Sequence, residues 1–386
     1  MIDFPANPTV GQQFTAAGVT WVWDGVKWSA SGLSIAYVPL AGFVPAMNDN
    51  RLINGDMRVD QRGVASGGGG TATGYTVDRW TFTGTQANKG QWQRTSAGPQ
   101  TIGFPYGLIF SSSSAYVSLA TDAFQFAQPI EADMISDFQW GTAQAQPVTL
   151  SFWAYSSLTG TFSGAIGNYA GTRAYPFTFS IPIANVWTKV TITIPGDTVG
   201  TWAMSGNAGA LIVRFDLGSG ANYRGPAGAW GSINASGANG AVSVVATNGA
   251  QFMVTGVKLE IGNVATPYNR QSLAKSLADC QRYYYQGVPP LRGSVSAGNA
   301  STAIGRLGAR HPVQMRASPT ITMLAAIPIY DGITAATLTS ITTAYPTIDV
   351  VELDGTATVA MGGTNGARPV AVYQGAGGNL TVSAEL

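Results

Sequence analysis

Side chains that commonly perform chemistry are scarce in this chain, and their scarcity bounds what it does. Of 386 residues one is histidine, His311 in Arg310-His-Pro-Val, and one is cysteine, Cys280. A Ser-His-Asp triad or a Cys-His pair would have to use His311. Cys280 falls on an apolar helical stripe with Leu273, Leu277 and Tyr284, where a free thiol behaves as a small buried hydrophobe and not as a nucleophile. A single cysteine also argues against a disulfide framework and a thiolate metal cluster. Glycine-rich runs occur, but none sits between a parallel strand and a helix, so phosphate-loop and dinucleotide fingerprints are missing. Paired carboxylates are the remaining device, since a glycosidase needs two acids about 5–10 Å apart across the bond it cuts. Asp78, Asp122, Glu131, Asp133, Asp137 and Asp216 are candidates, but no spacing singles out a pair, and acids in β-proteins mostly serve turns. The expectation is a non-enzymatic protein without catalytic residues, cofactor or metal. A glycan-degrading depolymerase is the alternative.

Binding chemistry is better supplied. Sugar sites combine exposed aromatics for stacking with neutral donors and acceptors that read hydroxyl groups. Tyr223 and Trp230 fall in a glycine-rich stretch, 218–240, that shows no clear strand, and Asn168 and Tyr169 fall in another turn. Loops that long are more often functional or disordered than idle. These four residues are the candidate glycan contacts, with burial of Tyr223 and Trp230 against a neighbouring subunit as the alternative. The run Tyr283-Tyr284-Tyr285 reads as packing against an adjacent sheet. Asp78 and Arg79 are placed on opposite faces of a strand, so they need not pair with each other.

Near the N-terminus, Asp24-Gly25 lies between two β-type runs and signals a two-residue hairpin. Its register would pair Trp23 with Val26, Val22 with Lys27 and Trp21 with Trp28. Alternation then puts Trp21, Trp23, Val26 and Trp28 on one face, with Phe14 beneath. That face is either a docking platform or the whole core of a tiny module. A unit under about 40 residues without disulfide or metal has little else to bury, so it calls for a partner surface.

Composition narrows the partners. Lys plus Arg is 20 and Asp plus Glu is 19, a net charge of +1, and only 10% of residues are charged, against about 25% in average soluble domains. No nucleic-acid surface is expected, because such domains concentrate Lys and Arg on one face. No membrane insertion is expected either: there is no polybasic anchor and no uninterrupted run of 18 apolar residues. The N-terminus lacks the charged and apolar regions of a secretory signal. Ten Trp, 15 Tyr and 15 Phe argue against disorder.

The elements that position these residues are nearly all strands. In 148–154, Val148, Leu150, Phe152 and Ala154 point inward; so do Phe177, Phe179 and Ile181, then Val190, Ile192 and Ile194, then Leu211, Val213, Phe215 and Leu217. Short strands separated by Gly and Asn turns indicate a two-sheet sandwich. Late in this series Phe252 and Val254 have one parity and Val257, Leu259 and Ile261 the other, with Gly256 at the break, which predicts a β-bulge. Lys258 and Glu260 share the face opposite Val257. The fold class is all-β, organised as an N-terminal module (1–30), a linker (31–50), a sandwich (51–268), a short helix (269–287) and a C-terminal β domain (288–386) whose ladder other chains could complete.

Three stretches carry a family resemblance. Phe252-Met-Val-Thr-Gly-Val-Lys-Leu-Glu-Ile261, leading through Pro267 to Cys280-Gln-Arg-Tyr-Tyr284, resembles a junction in tailed-bacteriophage virion appendage proteins. Arg51-Leu-Ile-Asn-Gly-Asp-Met57 with Gln61-Arg-Gly63 and Val77-Asp-Arg-Trp80 resembles the opening of their jelly roll. Phe4-Pro-Ala-Asn-Pro8 and Trp21-Val-Trp-Asp-Gly-Val-Lys-Trp28 are similar to their short attachment module. The resemblance implies a jelly roll, a location in the virion and a homotrimer whose seam would run along Leu273, Leu277, Cys280 and Tyr284. It also implies other virion proteins as partners of Phe14, Trp21, Trp23 and Trp28, and host-surface polysaccharide as a ligand. A purely structural head fibre or collar is a further alternative, as is a carbohydrate-binding module of a secreted enzyme.

Overall fold

Alternating apolar residues bounded by glycine turns convert into short antiparallel strands, and these dominate the chain. The structure, a computed structural model, describes residues 4–16, 19–31, 50–63, 73–287, 292–295, 301–330, 335–361, 368–372 and 380–386. Most of the linker expected over 31–50, the glycine run at 67–70 and Pro289-Pro290 lie outside them. Contacts divide the chain into two units, Met1–Asn48 and Asp49–Leu386.

The N-terminal unit is a three-stranded antiparallel sheet of β1 (Gln13–Ala16), β2 (Val19–Trp23) and β3 (Trp28–Ser31). Its register corrects the expected one: Trp23, not Trp21, stands opposite Trp28. Asp24 causes the shift. Its Oδ1 accepts the N–H of Val26 and of Lys27, each at 2.8 Å, and closes a four-residue loop. A two-residue slip preserves parity, so the three tryptophans still share a face, whereas Val26 leaves it and is 84% exposed. Phe14 lies opposite Trp21. Phe4 completes the core, stacked on Trp28 at 5.4 Å and edge-on to Trp21 at 5.3 Å.

The second unit opens with a jelly-roll sandwich. One sheet has six strands, in the order β11 (Ala174–Ile181), β10 (Gly160–Asn168), β13 (Gly209–Asp216), β8 (Phe124–Glu131), β5 (Thr81–Gly84) and β4 (Gly74–Tyr75). The other has five: β12 (Thr188–Ile194), β9 (Val148–Ser156), β16 (Gln251–Ile261), β7 (Gly107–Ser112) and β6 (Gly90–Thr95). Phenylalanines fill the interior; Phe152 meets Phe215 at 4.9 Å and Phe179 at 5.1 Å, both edge-on. Truncating one such ring to Ala costs about 3–5 kcal/mol. The inward residues read from alternation are buried here, Ile192 only partly. The bulge in β16 is also present. Pairing with β9 slips between Thr255 and Lys258, and Gly256 takes φ +61.

The helix α1 (Leu273–Gln281) is capped by Ser272, whose Oγ accepts the Lys275 N–H at 3.2 Å. It is shorter than its sequence period suggested, and Tyr284 lies on β17 (Tyr284–Gly287), outside it. Backbone pairing with the C-terminal strand takes over there: β17, β25 (Leu380–Ser383) and β20 (Thr320–Met323) form a sheet with β25 in the centre.

The C-terminal strands do not wait for other chains to complete their ladder. Among the described residues β18 (Arg292–Val295), β19 (Ser301–Arg310), β23 (Val350–Met361), β22 (Ala335–Ala344), β21 (Ile327–Tyr330) and β24 (Arg368–Val372) close into a barrel. Leu307, Ile327, Ile329, Leu338, Val351 and Leu353 fill it. Closure removes the exposed edges that would otherwise invite intermolecular pairing.

Candidate functional site

Two of the three stretches that carry the family resemblance converge on one place in the second unit, and it is structural. Asn50 Oδ1 accepts the Leu259 N–H at 2.9 Å, and Val257 N donates to Gly55 O at 2.9 Å, so the opening segment docks on the bulged strand. Lys258 and Glu260, expected on an outer face, are buried there as an ion pair of 3.1 Å. Thr266 caps that pair: its N–H and hydroxyl donate to Glu260 at 2.8 and 2.6 Å. Asp78 and Arg79 are not on opposite faces of a strand. They form a tight turn between β4 and β5 in which Arg79 has φ +72, and both are buried. Asp78 accepts from Gln61 N and Nε2 at 2.7 Å each; burial raises its carboxyl above the usual range even so. Arg79 lies 3.5 Å from the centre of the Tyr283 ring and donates to Pro129 O at 2.8 Å. All three tyrosines of the run are buried, as expected of packing.

The catalytic candidates are likewise committed. His311 is buried, its Nε2 donates to Thr347 O at 3.0 Å and its Nδ1 accepts from the Tyr285 hydroxyl at 2.9 Å. Burial lowers its pKa, which keeps the ring neutral, and burial raises the Cys280 thiol well above its normal value. Asp216 accepts from Ser219 N and Arg224, both at 2.7 Å; Glu131 pairs with Arg282 at 3.0 Å; Asp133 accepts from Gly206 N at 2.7 Å; Asp137 pairs with Arg51 at 2.5 Å. Asp122 accepts four hydrogen bonds.

The glycan contacts expected in loops do not form one site. Asn168 is buried, its Oδ1 accepting from Thr172 N and Arg173 N and its Nδ2 donating to Thr172 Oγ1, which pins a turn. Trp230 is half-buried in its own sandwich, within 5.1 Å of Trp140, 5.4 Å of Tyr175 and 5.6 Å of Trp202, and donates to Pro195 O. Tyr223 is half-buried on a 3-10 turn. Tyr169 is 44% exposed, with its ring against Gly209. In the helical seam Cys280 is buried and Leu277 half-buried, while Leu273 is 58% exposed.

A surface groove is instead built on the outer face of the five-stranded sheet. The alternation that turns Phe152 inward turns Ser151, Trp153 and Tyr155 outward, and this is the signal that would have located the site from sequence. Trp153 stands between Lys189 on β12 and Thr255 on β16. Further along the strand Tyr155 meets Trp187 at 5.6 Å. Trp187 reaches over the sheet to Gly107, where a Cβ would stand 3.4 Å from the indole. Phe104, Thr266, Pro267, Tyr268 and Arg270 wall the other side, enclosing about 330 Å³. The positive φ at Gly256 matters here, because Phe104 packs directly over that glycine. Trp153, Tyr155 and Trp187 are half-buried, each with part of its surface open to solvent. A larger cavity of about 420 Å³ beside α1 is lined by charges that pair with one another, such as Arg58 with Asp56 at 2.6 Å and Lys275 with Asp279 at 2.6 Å.

No family model matches the chain, and no curated protein matches it. Among solved structures it is similar to the enzymatically active domain of tailspike protein 4 of bacteriophage CBA120, with 15% identity and a TM-score of 0.31. That similarity covers 55% of this chain and 21% of the tailspike chain. A family 11 carbohydrate-binding module from Clostridium thermocellum, in complex with a β-1,3-1,4-mixed-linked tetrasaccharide, is similar at 12% identity and a TM-score of 0.26 over 49% of this chain and 91% of its own. TmCBM61, in complex with β-1,4-galactotriose, gives 12% identity and 0.29 over 55% and 99%. At these scores the function of this chain is read from its own residues.

Proposed function

We propose that this chain is a non-enzymatic, homotrimeric appendage protein of a tailed-bacteriophage particle, and that it binds glycans in the groove over Trp153. One observation carries the binding reading: an outward row of Trp153, Tyr155 and Trp187 beside an open groove edged by Ser151, Lys189 and Thr266. Stacking needs a flat aromatic face with one side wet, and a rigid strand supplies it at low entropic cost. The non-enzymatic reading rests on the acids. Among the described residues none lines the groove, and the candidates elsewhere each hold a turn or an ion pair. The virion reading rests on the motif resemblance. A module with so small an aromatic core supports attachment through the N-terminal unit, and the exposed Leu273 supports a seam that symmetry mates cover.

A glycan array on the full chain tests the binding, with Trp153→Ala as the control. Binding by the wild type and its loss in a folded variant is the expected result; an empty array removes the reading. Release of reducing ends from a bound polysaccharide would make the protein an enzyme. Light scattering decides the oligomer, and particle incorporation of a Trp21→Ala, Trp28→Ala double variant decides the attachment.

A further inference from the structure

The groove is cationic, and one of its cations has no carboxylate partner among the described residues. Of the described residues lining it, only Lys189 and Arg270 are charged, and both are cations. Arg270 shares Asp56 with Arg58: the carboxylate faces the Arg270 Nε at 3.1 Å and the Arg58 Nε at 2.6 Å, and the Arg270 guanidinium also lies 5.1 Å from the Phe104 ring. Lys258, under the same wall, is matched by Glu260. Lys189 is exposed and takes part in no ion pair among the described residues. In a chain with only 10% charged residues, where most cations of the sandwich are paired, an unpaired lysine beside a stacking tryptophan stands out chemically.

Register fixes its position. Lys189 and Trp153 are direct cross-strand partners on β12 and β9, which sets their Cβ atoms about 4.5–5.5 Å apart on one face. A ring stacked on Trp153 would therefore present a substituent at one edge to the ammonium. Across the other edge, Thr255 lies in the same row with a buried hydroxyl that has no hydrogen-bond partner among the described residues. Lysine offers three rotatable donors on a flexible stem and acts as a compact point charge, suited to a carboxylate whose orientation varies between sugars.

We infer that the groove selects acidic glycans, with the carboxylate of a sugar such as a hexuronate paired to Lys189 while its ring stacks on Trp153. This rests on the glycan-binding reading above and adds the class of sugar and the residue that sets it. Lys189 is a specificity determinant; Trp153 supplies binding common to acidic and neutral chains.

Titration calorimetry on the full chain tests it with matched probes: hexuronate, sialylated and pyruvylated oligosaccharides, each beside its carboxyl-reduced or unsubstituted neutral counterpart. The acidic member of at least one pair should bind about fivefold more tightly, the range of a partly exposed ion pair. Added salt should erode that preference. Lys189→Met should abolish the preference by weakening the acidic member more than the neutral one, and Trp153→Ala should weaken both members. Equal binding of acidic and neutral members, unchanged by Lys189→Met, overturns acidic selection and leaves glycan binding standing. No binding by any probe overturns both. Lys189 is exposed on an edge strand, so the variant is expected to fold, and an unchanged melting curve checks this.

Discussion

Arg79 and Glu385, separated by 306 residues, form an ion pair in which both side chains are almost wholly removed from solvent. Burial acts against the Arg79 charge, but Glu385 first, then Tyr283, Tyr75 and Cys280, together outweigh it and raise the guanidinium above its ordinary value. Glu385 also meets Arg62 at 3.0 Å, and Arg316 binds the backbone carbonyls of Ala384 and Glu385 at 2.8 and 3.2 Å. The end of the C-terminal strand is thereby fastened to the first turn of the jelly roll.

Glu385→Gln should consequently destabilise the whole second unit. It removes one partner of a buried pair and leaves Arg79 without a counter-charge, a change that costs about 3–5 kcal/mol. Urea unfolding followed by tryptophan fluorescence reads this, and a loss below about 1 kcal/mol would mean that the tail is not a fastening.

Gly256→Ala should be costly for two reasons that act at one atom. The residue sits at φ +61, and an added Cβ would come within 2.8 Å of the Phe104 ring. Left-handed backbone costs an L-residue about 1–2 kcal/mol before the clash. Because Phe104 walls the groove, ligand binding should weaken with stability; a variant with unchanged melting temperature would contradict the bulge geometry.

Arg214 gives a prediction of the opposite sign. Its side chain is 7% exposed, donates to Ala235 O at 3.1 Å and forms no ion pair among the described residues. Burial lowers its pKa to about 10, well below the ordinary arginine value. A base whose folded pKa lies below its unfolded one is penalised at every pH below that folded value. Arg214→Met should be neutral or stabilising in thermal unfolding at pH 7. A clear drop in melting temperature would show that the Ala235 bond outweighs the burial of charge.

Asp122 should make stability depend on acid pH. Burial alone would raise its carboxyl, but bonds from the Tyr116 hydroxyl at 2.6 Å, Gln86, Leu119 N and Thr85 outweigh it and lower the pKa to about 2 from 3.8. With the folded value below the unfolded one, the stabilisation is fully present above the unfolded value and disappears as the pH falls through about 2. Asp122→Asn should be less stable than wild type at pH 7, and the gap should shrink toward pH 2. A gap that does not change with pH would rule out the carboxylate as its source.

The strands, their inward faces and the bulge at Gly256 were legible in the sequence, because side chains in a strand alternate with a period of two whatever the strand packs against. The two-residue slip of the N-terminal hairpin was not legible from strand pattern, since both registers keep the tryptophans on one face and only the Asp24 carboxylate chooses between them. Motifs such as Lys258-Leu-Glu260 and Asp78-Arg79 announced themselves by residue type, yet what they do depends on partners such as Thr266, Gln61 and Glu385 that only the folded chain supplies. Trp230 and Asn168 looked exposed because their neighbours in sequence are glycines and polar residues. Their neighbours in space are Trp140, Trp202 and Thr172, and burial is set by those. Local alternation was enough to tell which residues of 148–156 face out. That Trp153 stands beside an unpaired Lys189 emerged only on folding, because cross-strand register joins residues that no local pattern relates.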